Sequence, residues 1–246
     1  MTHAPTAPGL DLWFTDHSDG NLSFAWGATE EVRARRHTVL AQAGSDPSRA
    51  VVMQCRHEDV VVRVDREDGG RGVLEGATAP VAEALLTQEP DLTLCLLTAD
   101  CVPLVLTDRE RSLLLLAHVG RMPLARGLVE KCVAVAGEVA LAPLEAHLGP
   151  GIYPSSYVLP DSSAPSDPVL TPFTRAHGPE AVRVDLFGAI RAELTRAGIA
   201  SARIYDHSYD TAATEQQFSH YRAVRTGEPE GRFMTLARLT GEVSRS

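Results

Sequence analysis

Short apolar runs alternate with polar turns along most of the chain, and the strongest runs lie between residues 92 and 128. Residues 92–97, 102–106 and 112–117 are almost continuously apolar over the length of a strand. Runs of this kind are typical of strands that are buried on both faces, and buried helices share the composition. The charged residues 108–111 separate the last two runs and indicate a turn. The pattern therefore predicts neighbouring buried strands in this part of the chain.

Helical spacing of apolar positions alternates with further strand-like runs in the rest of the chain. We predict helices at residues 29–43, 79–87, 126–138 and 185–197, and strands at 12–15, 21–26, 51–54, 60–64, 181–184, 202–205 and 231–237. This alternation predicts an α/β fold with a mixed sheet. Residues 1–10 contain two prolines and are expected to be a disordered lead-in, and residues 11–240 are expected to form a single domain.

Two side chains with useful chemistry stand at the ends of the predicted strands. Cys101 follows Asp100 at the end of one run, and His118 ends another. Strand ends are where α/β proteins hold ligands, so we expect the thiol and the imidazole to converge on one small pocket. They could be two ligands of zinc or copper, a nucleophile with its base, or one of each beside a small molecule. Both could also be ordinary core residues, but a carboxylate beside an apolar run needs a partner, which favours a functional site.

Composition narrows the class of partner. The chain has 246 residues and a formal net charge of −9, and no basic run is longer than two residues. Nucleic acid and anionic membranes are therefore poor partners, and no apolar run approaches the roughly 18 residues of a membrane span. The four cysteines show no CxxC spacing, which predicts free thiols in a reducing cytoplasm. We expect a cytoplasmic protein, a monomer or small homo-oligomer, that acts on a small molecule.

A known family carries the same motifs in the same order. The sequence Thr98-Ala99-Asp100-Cys101-Val102-Pro103, followed by His118-x-Gly120, resembles the family first described as multicopper polyphenol oxidoreductases or laccases. Its further elements match Phe14-Thr15-Asp16, the segment from Gln54 to Val60, Leu148-Gly149-Pro150-Gly151-Ile152, Asp185-Leu186, Phe218-Ser219-His220-Tyr221-Arg222 and Gly231-Arg232. The resemblance covers nearly the whole chain. It implies a four-layer α-β-β-α arrangement with mixed sheets, which is related to bacterial toxin deamidases with a Cys-His pair.

The resemblance also implies a zinc site, with copper less favoured. In that family a histidine, the cysteine of the Ala-Asp-Cys motif and the histidine of the His-x-Gly motif surround one zinc ion. The last two are Cys101 and His118 here, but Arg56 occupies the position of the first. His57 lies one residue further on. Neighbouring strand residues face opposite sides, so His57 replaces the missing ligand only if the backbone bulges or the strand has already ended.

The expected activity is that of the family, purine nucleoside phosphorylase with adenosine deaminase activity. Its substrates would be a purine nucleoside and phosphate. Asp100 and Arg121 are expected beside Cys101 and His118 as catalytic residues. The residues expected to bind substrate, phosphate above all, are Arg126, Arg222 and Arg232.

Departures from the family motif keep two alternatives open. The family sequence His-Ala-Gly-Trp-Arg-Gly reads His118-Val119-Gly120-Arg121-Met122-Pro123, so the tryptophan is lost and the arginine has moved by one position. One alternative is a divergent paralogue with a lost or repurposed activity. The other is a metal-free hydrolase with Cys101 as nucleophile and His118 as base.

Overall fold

Two mixed sheets form the centre of the protein, and the computed structural model describes residues 1–241 of the chain. In spatial order the first sheet contains β1 (Thr2–His3), β2 (Leu10–Phe14), β14 (Phe233–Leu239), β6 (Thr93–Thr98) and β3 (Ala50–Val52). The second contains β13 (Ile204–Asp206), β9 (Leu144–Leu148), β7 (Val102–Asp108), β8 (Leu114–Val119), β5 (Ala84–Thr87) and β4 (Val61–Arg63). A small third sheet orders β10 (Val158–Pro160), β12 (Ala181–Val184) and β11 (Thr174–Ala176).

Among residues 1–241, five α-helices accompany the sheets. They are α1 (Thr29–Gln42), α2 (Arg121–Ala125), α3 (Leu128–Gly137), α4 (Leu186–Arg196) and α5 (His220–Thr226). Within residues 1–241 none of the helices has both the length and the apolar character that crossing a membrane requires.

Alternating side chains on the central strands build the layers. Leu94 and Leu96 of β6 pack into a core between the two sheets, while Cys95 faces a second core under α1. In β7, Val105 faces the core between the sheets, and its neighbours face a third core under α3 and α4. Successive residues of a strand point to opposite faces, so each buried sheet needs a cover on both sides. The order helix, sheet, sheet, helix confirms the predicted four-layer α/β arrangement.

Three local predictions were wrong. The segment predicted as a helix at 79–87 ends in β5, which pairs with β4 and β8, because cross-strand pairing in the sheet outweighs the helix propensity of its alanine and leucines. No strand forms at 21–26, where the Asn21 side chain bonds both backbone groups of Ser23 and turns the chain. The helix predicted from residue 126 begins at Leu128, after Gly127 in a left-handed conformation at φ 82°.

The N-terminus also differs from the expected disordered lead-in. β1 pairs with β2, and Ala4 is buried. The terminal ammonium of Met1 lies 3.1 Å from Asp16 and 3.0 Å from Asp19. Two carboxylates and a strand partner therefore hold a segment whose composition alone indicates disorder.

Candidate functional site

Cys101 lies where the chain passes from one sheet to the other. The preceding strand β6 belongs to the first sheet and the following strand β7 to the second. The sequence pattern predicts that the strand before Cys101 and the strand that brings His118 are adjacent, but β6 and β8 belong to different sheets. The strand that pairs with β8 is β7, which begins directly after Cys101. Because β7 and β8 are antiparallel, the start of one meets the end of the other, and His118 is opposite Pro103. The thiol and the imidazole therefore meet at one end of the sheet pair.

Asp100, expected to be catalytic, lines the cleft and makes hydrogen bonds that organise the turn before Cys101. Its φ is 89°, and its carboxylate accepts hydrogen bonds from the Thr211 hydroxyl and the Tyr221 amide, both at 2.7 Å. Burial raises the pKa of this carboxyl group, and these hydrogen bonds act in the opposite direction. Asp100 thus ties the start of α5 to the turn that carries Cys101, and it bonds to neither histidine of the site.

His118 lies inside β8 rather than after it, on the face that turns towards the first sheet. Its Nδ1 is 2.7 Å from Oε2 of Glu83, and its backbone amide donates to the Glu83 carbonyl, also at 2.7 Å. Glu83 is 1% exposed and also accepts the Arg56 amide at 2.5 Å. A carboxylate at Nδ1 keeps the proton on that nitrogen and leaves the Nε2 lone pair of the neutral ring free.

Glu83 is a site residue that sequence reasoning missed. It was placed within a predicted helix, whereas it directly precedes the buried strand β5. Like Asp100, Glu83 is a carboxylate beside an apolar run. Such a carboxylate needs a partner, and this feature of the sequence could have identified Glu83. Burial works to raise the Glu83 pKa, but the hydrogen bonds from His118 and Arg56 hold it below its ordinary value.

His57 reaches the site because its strand has already ended. β3 stops at Val52, and His57 adopts a left-handed backbone conformation with φ 60°. Its Nε2 lies 4.0 Å from Cys101 Sγ, and its ring centroid lies 4.9 Å from that of His118. One donor atom from each of His57, Cys101 and His118 lies within 4.8 Å of the other two. The alternation of side chains along a strand, which would turn His57 away from the site, does not apply after the strand has ended.

The glycine of the His-x-Gly motif leaves room for the thiol. A Cβ atom on Gly120 would lie 2.6 Å from Cys101 Sγ, far closer than such atoms approach. The φ of Gly120 is −97°, so the constraint at this position comes from space rather than from backbone conformation.

The histidines shift the acidity of the thiol. Burial acts to raise the pKa of Cys101, but the neighbouring His118 and His57 lower it to about 6. Burial likewise acts to lower the pKa of His118, and Cys101 and Cys55 raise it well above its ordinary value. The pair is therefore favoured as thiolate and imidazolium when no metal is bound. Cys55 forms a second donor set with Glu83 and His118, but burial raises the pKa of its own thiol.

The predicted arginines are not all at the site. Arg121 lines the same cleft and donates to the Ser163 carbonyl at 3.0 Å, and Arg126 lines it and donates to the His57 carbonyl at 2.5 Å. Arg232 also lines the cleft and is paired with Glu230 at 2.8 Å.

Arg222, in contrast, does not line the cleft. Its guanidinium binds Glu228 and the backbone carbonyls of Thr211, Thr214 and Gln217. Each nitrogen of the Arg222 guanidinium therefore donates within the protein and braces the C-terminal segment, and the expected role of Arg222 in substrate binding stays a prediction.

A cleft of about 1340 Å³ contains the His57–Cys101–His118 cluster. This is above the range of about 300–1,000 Å³ that is usual for small-molecule pockets. Exposed apolar side chains also line it, namely Phe24, Trp26, Leu74, Met122 and Val224. The cleft therefore offers donor atoms for a metal, arginines for an anion and apolar surface for an aromatic ring.

Comparison with known proteins identifies the family. The family model for multi-copper polyphenol oxidoreductase laccase matches residues 15–240. A protein named purine nucleoside phosphorylase from Streptomyces coelicolor is 30% identical over 236 residues, which cover 90% of this chain and 93% of the relative. Another of that name from Xylella fastidiosa is 32% identical over 245 residues, which cover 94% of this chain and 88% of the relative.

Solved structures share the fold. A hypothetical protein YfiH from Bacillus licheniformis superposes with a TM-score of 0.83 at 24% identity, over 97% of this chain and 99% of its own. YlmD from Geobacillus stearothermophilus gives the same TM-score and identity over 97% of this chain and 94% of its own. From its sequence match and its four-layer fold, this chain belongs to the multi-copper polyphenol oxidoreductase laccase family.

Proposed function

We propose that this protein is a zinc-dependent enzyme that cleaves adenosine, inosine and guanosine by phosphorolysis and also deaminates adenosine. The observation that carries the proposal is the meeting of His57, Cys101 and His118 within one large cleft. Relatives that align along almost the whole chain bear the name purine nucleoside phosphorylase, which supports the same substrate class. In the reaction a phosphate oxygen bonds to C1′ of the ribose, the bond from C1′ to the purine breaks, and the purine leaves with a proton.

The donor set fits zinc. One thiolate and two imidazoles are ligands that zinc prefers, and three protein ligands leave a fourth position open. Tetrahedral zinc holds sulfur and nitrogen ligands about 3.6 Å apart, from bond lengths of about 2.3 and 2.05 Å. The distance of 4.0 Å from Cys101 Sγ to His57 Nε2 is a few tenths of an ångström longer, and His57 is exposed enough to turn. When bound, such an ion lowers the pKa of a coordinated water to about 7 and polarises substrate oxygens.

Residues around the cluster hold its ligands in place. Glu83 fixes the His118 ring by accepting its Nδ1 proton, and Gly120 leaves the space that the Cys101 sulfur occupies. Arg126 holds the backbone carbonyl of His57 in its left-handed turn. Metal ligands without such support lose affinity by about 10- to 100-fold when the outer partner is removed.

The rest of the cleft suits a purine nucleoside and phosphate. Arg121 adds positive charge to the cleft, and the partly exposed Tyr157 and Leu159 offer apolar surface for a planar base. Phosphate carries negative charge that guanidinium groups bind through paired hydrogen bonds. The charge and the apolar surface of this cleft therefore match the two parts of the proposed substrate pair.

The test combines metal content with turnover. Protein purified without a His tag is expected to contain one zinc per chain and to release hypoxanthine from inosine only when phosphate is present. Cys101→Ala is expected to lose both, whereas the control Cys132→Ala, a buried cysteine of α3 away from the cleft, is expected to keep both. Full turnover in metal-free protein would rule out zinc dependence. A zinc-loaded protein that releases no base from any of the three nucleosides would contradict the proposed activity.

A metal-free Cys-His hydrolase is the second candidate. It is favoured by the lowering of the Cys101 pKa to about 6 by His118 and His57, because a thiolate is the form that attacks an electrophile. Here Cys101 is the nucleophile and His118 is the base. This function predicts that iodoacetamide labels Cys101 selectively, that substrate blocks the labelling, and that chelators leave turnover unchanged. Loss of turnover on metal removal and its recovery with zinc would exclude it.

A further inference from the structure

We propose that Arg36 forms an oxyanion subsite in the cleft, apart from the His57–Cys101–His118 cluster, and that this subsite binds a phosphate group. Arg36 lies on α1 and lines the cleft. Its contacts involve neither Cys101 nor either histidine of the cluster. The presence of an anion subsite follows from the surroundings of Arg36, while the choice of phosphate over other oxyanions rests on the proposed function.

Arg36 is a buried cation that has no carboxylate partner among the described residues. Arg36 is 3% exposed, and no ion pair with a carboxylate includes it among residues 1–241. Its Nε donates to the Leu22 carbonyl at 2.9 Å and its Nη1 to the Gly72 carbonyl at 2.5 Å. Burial of a charge without a counter-charge is costly, so buried arginines are normally paired. An anionic ligand would supply the missing counter-charge.

Part of the Arg36 guanidinium remains available to a ligand. Within the described residues its Nη2 makes no hydrogen bond, and this atom is not fully buried. The carbonyls of Leu22 and Gly72 hold the other two nitrogens and therefore fix the plane of the group. Burial lowers the pKa of Arg36 to about 10, so the group remains charged at neutral pH. A charged donor group that is held in a fixed plane in the lining of a cleft is suited to an oxyanion.

The cleft carries an excess of positive charge. In the part of the chain that the structure describes, seven arginines line it, and Glu58 and Asp100 are the acidic residues of the lining, although the formal net charge of the chain is −9. Arg33 and Arg232 of this set are paired with carboxylates, and Arg36 is not. A cleft that is lined by charges of one sign concentrates ligands of the opposite charge. The cleft therefore attracts anions although the protein as a whole repels them.

An aromatic ring covers one face of the Arg36 guanidinium, and a second aromatic side chain lies elsewhere in the same cleft. The Arg36 guanidinium carbon lies 4.1 Å from the centre of the Phe24 ring, so one face of the group is covered. Trp26 is 47% exposed, lines the same cleft, and lies 5.6 Å from the guanidinium carbon of Arg232. The phosphate has two possible sources, free inorganic phosphate or a phosphate carried on a nucleoside, and the experiment separates them.

The experiment measures equilibrium binding of three probes, inorganic phosphate, inosine and inosine 5′-monophosphate, by isothermal titration calorimetry. Arg36→Met removes the charge while keeping an apolar chain of similar length. We expect phosphate affinity to fall at least about tenfold, as loss of a charged hydrogen bond implies. Inosine affinity is expected to stay within about twofold by the same reasoning. Arg35→Met is the matched control, because Arg35 is a neighbour on α1, pairs with Glu31 and does not line the cleft.

The two sources of phosphate give different patterns. If free phosphate is the ligand, Arg36→Met loses phosphate binding and inosine 5′-monophosphate binds the wild type no better than inosine does. If the phosphate is carried on the substrate, the monophosphate binds the wild type more tightly than inosine, and Arg36→Met abolishes the difference. The subsite would be overturned if folded Arg36→Met bound both phosphate and the monophosphate as tightly as the wild type does. It would also be overturned if the wild type bound no phosphate and bound the monophosphate no more tightly than inosine.

A bracing role for Arg36 is tested in the same series. If Arg36 only holds the carbonyls of Leu22 and Gly72, Arg36→Met lowers the melting temperature and leaves phosphate affinity unchanged. If Arg36→Met fails to fold, Arg36→Gln is the second variant, because it also removes the charge but keeps an amide that can donate to the Leu22 or Gly72 carbonyl. A fall in its phosphate or monophosphate affinity of about fivefold or more supports the subsite, and unchanged affinities for both overturn it. Binding is measured without turnover, so the two proposals can fail separately. A protein that binds phosphate through Arg36 but cleaves no nucleoside would support the subsite and contradict the proposed function.

Discussion

Glu83 accepts the Nδ1 proton of His118 at 2.7 Å, and both side chains are almost fully buried. Burial makes this contact decisive for the site, because a buried imidazole has no water to compete for that nitrogen. The contact selects the tautomer that presents Nε2 to the other donor atoms. It also joins two strands of the second sheet, since Glu83 directly precedes β5 and His118 lies on β8. The ligand geometry of the proposed zinc site therefore depends on a residue that is not itself one of the three ligands.

Glu83→Gln tests this dependence. The amide keeps the shape of the side chain but no longer compels the proton to stay on Nδ1, so we expect zinc affinity to fall about 10- to 100-fold. Competition with a chromophoric chelator measures it, and circular dichroism verifies the fold. Glu138→Gln, at an exposed position paired with Arg63, is the control and is expected to bind zinc as the wild type does. Wild-type zinc affinity in folded Glu83→Gln would show that Glu83 does not orient the ligand.

Gly120→Ala tests the space beside the thiol. Its new methyl group would lie 2.6 Å from Cys101 Sγ, so the sulfur must move away from the two imidazoles. We expect loss of bound zinc with little change in backbone structure, since φ at this position suits alanine. Metal content and crystallography measure the outcome.

Gly137→Ala is the matched control for Gly120→Ala. A Cβ at Gly137 meets no atom within 4 Å, and the residue lies at the end of α3. There we expect a gain in unfolding free energy of about 0.4–1 kcal/mol and unchanged metal content. If Gly120→Ala kept its zinc, the spacing argument would fail.

The reactivity of Cys101 is expected to titrate at low pH in metal-free protein. Its pKa is lowered to about 6, so the rate of alkylation by iodoacetamide should be half-maximal near pH 6 and constant above pH 7.5. An ordinary cysteine, with a pKa of about 8.5, would still gain reactivity up to pH 9. His118→Asn removes the main source of the shift, and its profile is expected to move to higher pH. A wild-type profile centred near pH 8.5 would contradict the close thiolate–imidazole pair.

Acid stability is expected to depend on His147, which lies away from the site. Its Nδ1 is 3.0 Å from His207 Nε2, and burial lowers its pKa to about 3. The unfolded chain takes up the proton near pH 6.5, so the stability that neutral His147 provides is present above that pH and is lost as pH falls towards 3. We expect the wild type to lose about 2 kcal/mol of unfolding free energy between pH 7 and pH 5 from this residue.

His147→Gln should remove most of that acid sensitivity. The control His177→Gln changes an exposed histidine and is expected to leave the slope as in the wild type. Urea unfolding at pH 7 and pH 5 measures the change in unfolding free energy for each protein. An identical slope in His147→Gln and wild type would show that His147 is not buried in its neutral form.

The pattern of apolar and polar residues was sufficient to predict the buried central strands and two of the residues at the site. The apolar runs around Val102 and Leu116 predicted buried strands. A strand that is covered on both faces carries apolar side chains at almost every position, so its sequence shows a continuous run. The sequence also predicts that the motif residues Cys101 and His118 converge on one pocket, and both side chains line the same cleft. The contact arises in a different way from the one expected, because β7, which follows Cys101, pairs with β8, whereas β6 lies in the other sheet.

Tertiary structure decided the remainder of the site. Glu83 was hidden in a segment with helical composition, and only pairing in the second sheet places it under His118. His57 joins the cluster because β3 ends early and its backbone turns left-handed. Arg36 is an unremarkable basic residue in the sequence, and its unpaired burial arises from the loops that carry Leu22 and Gly72. These relationships join segments from different layers, and their energies depend on burial and distance, which no local pattern of residues contains.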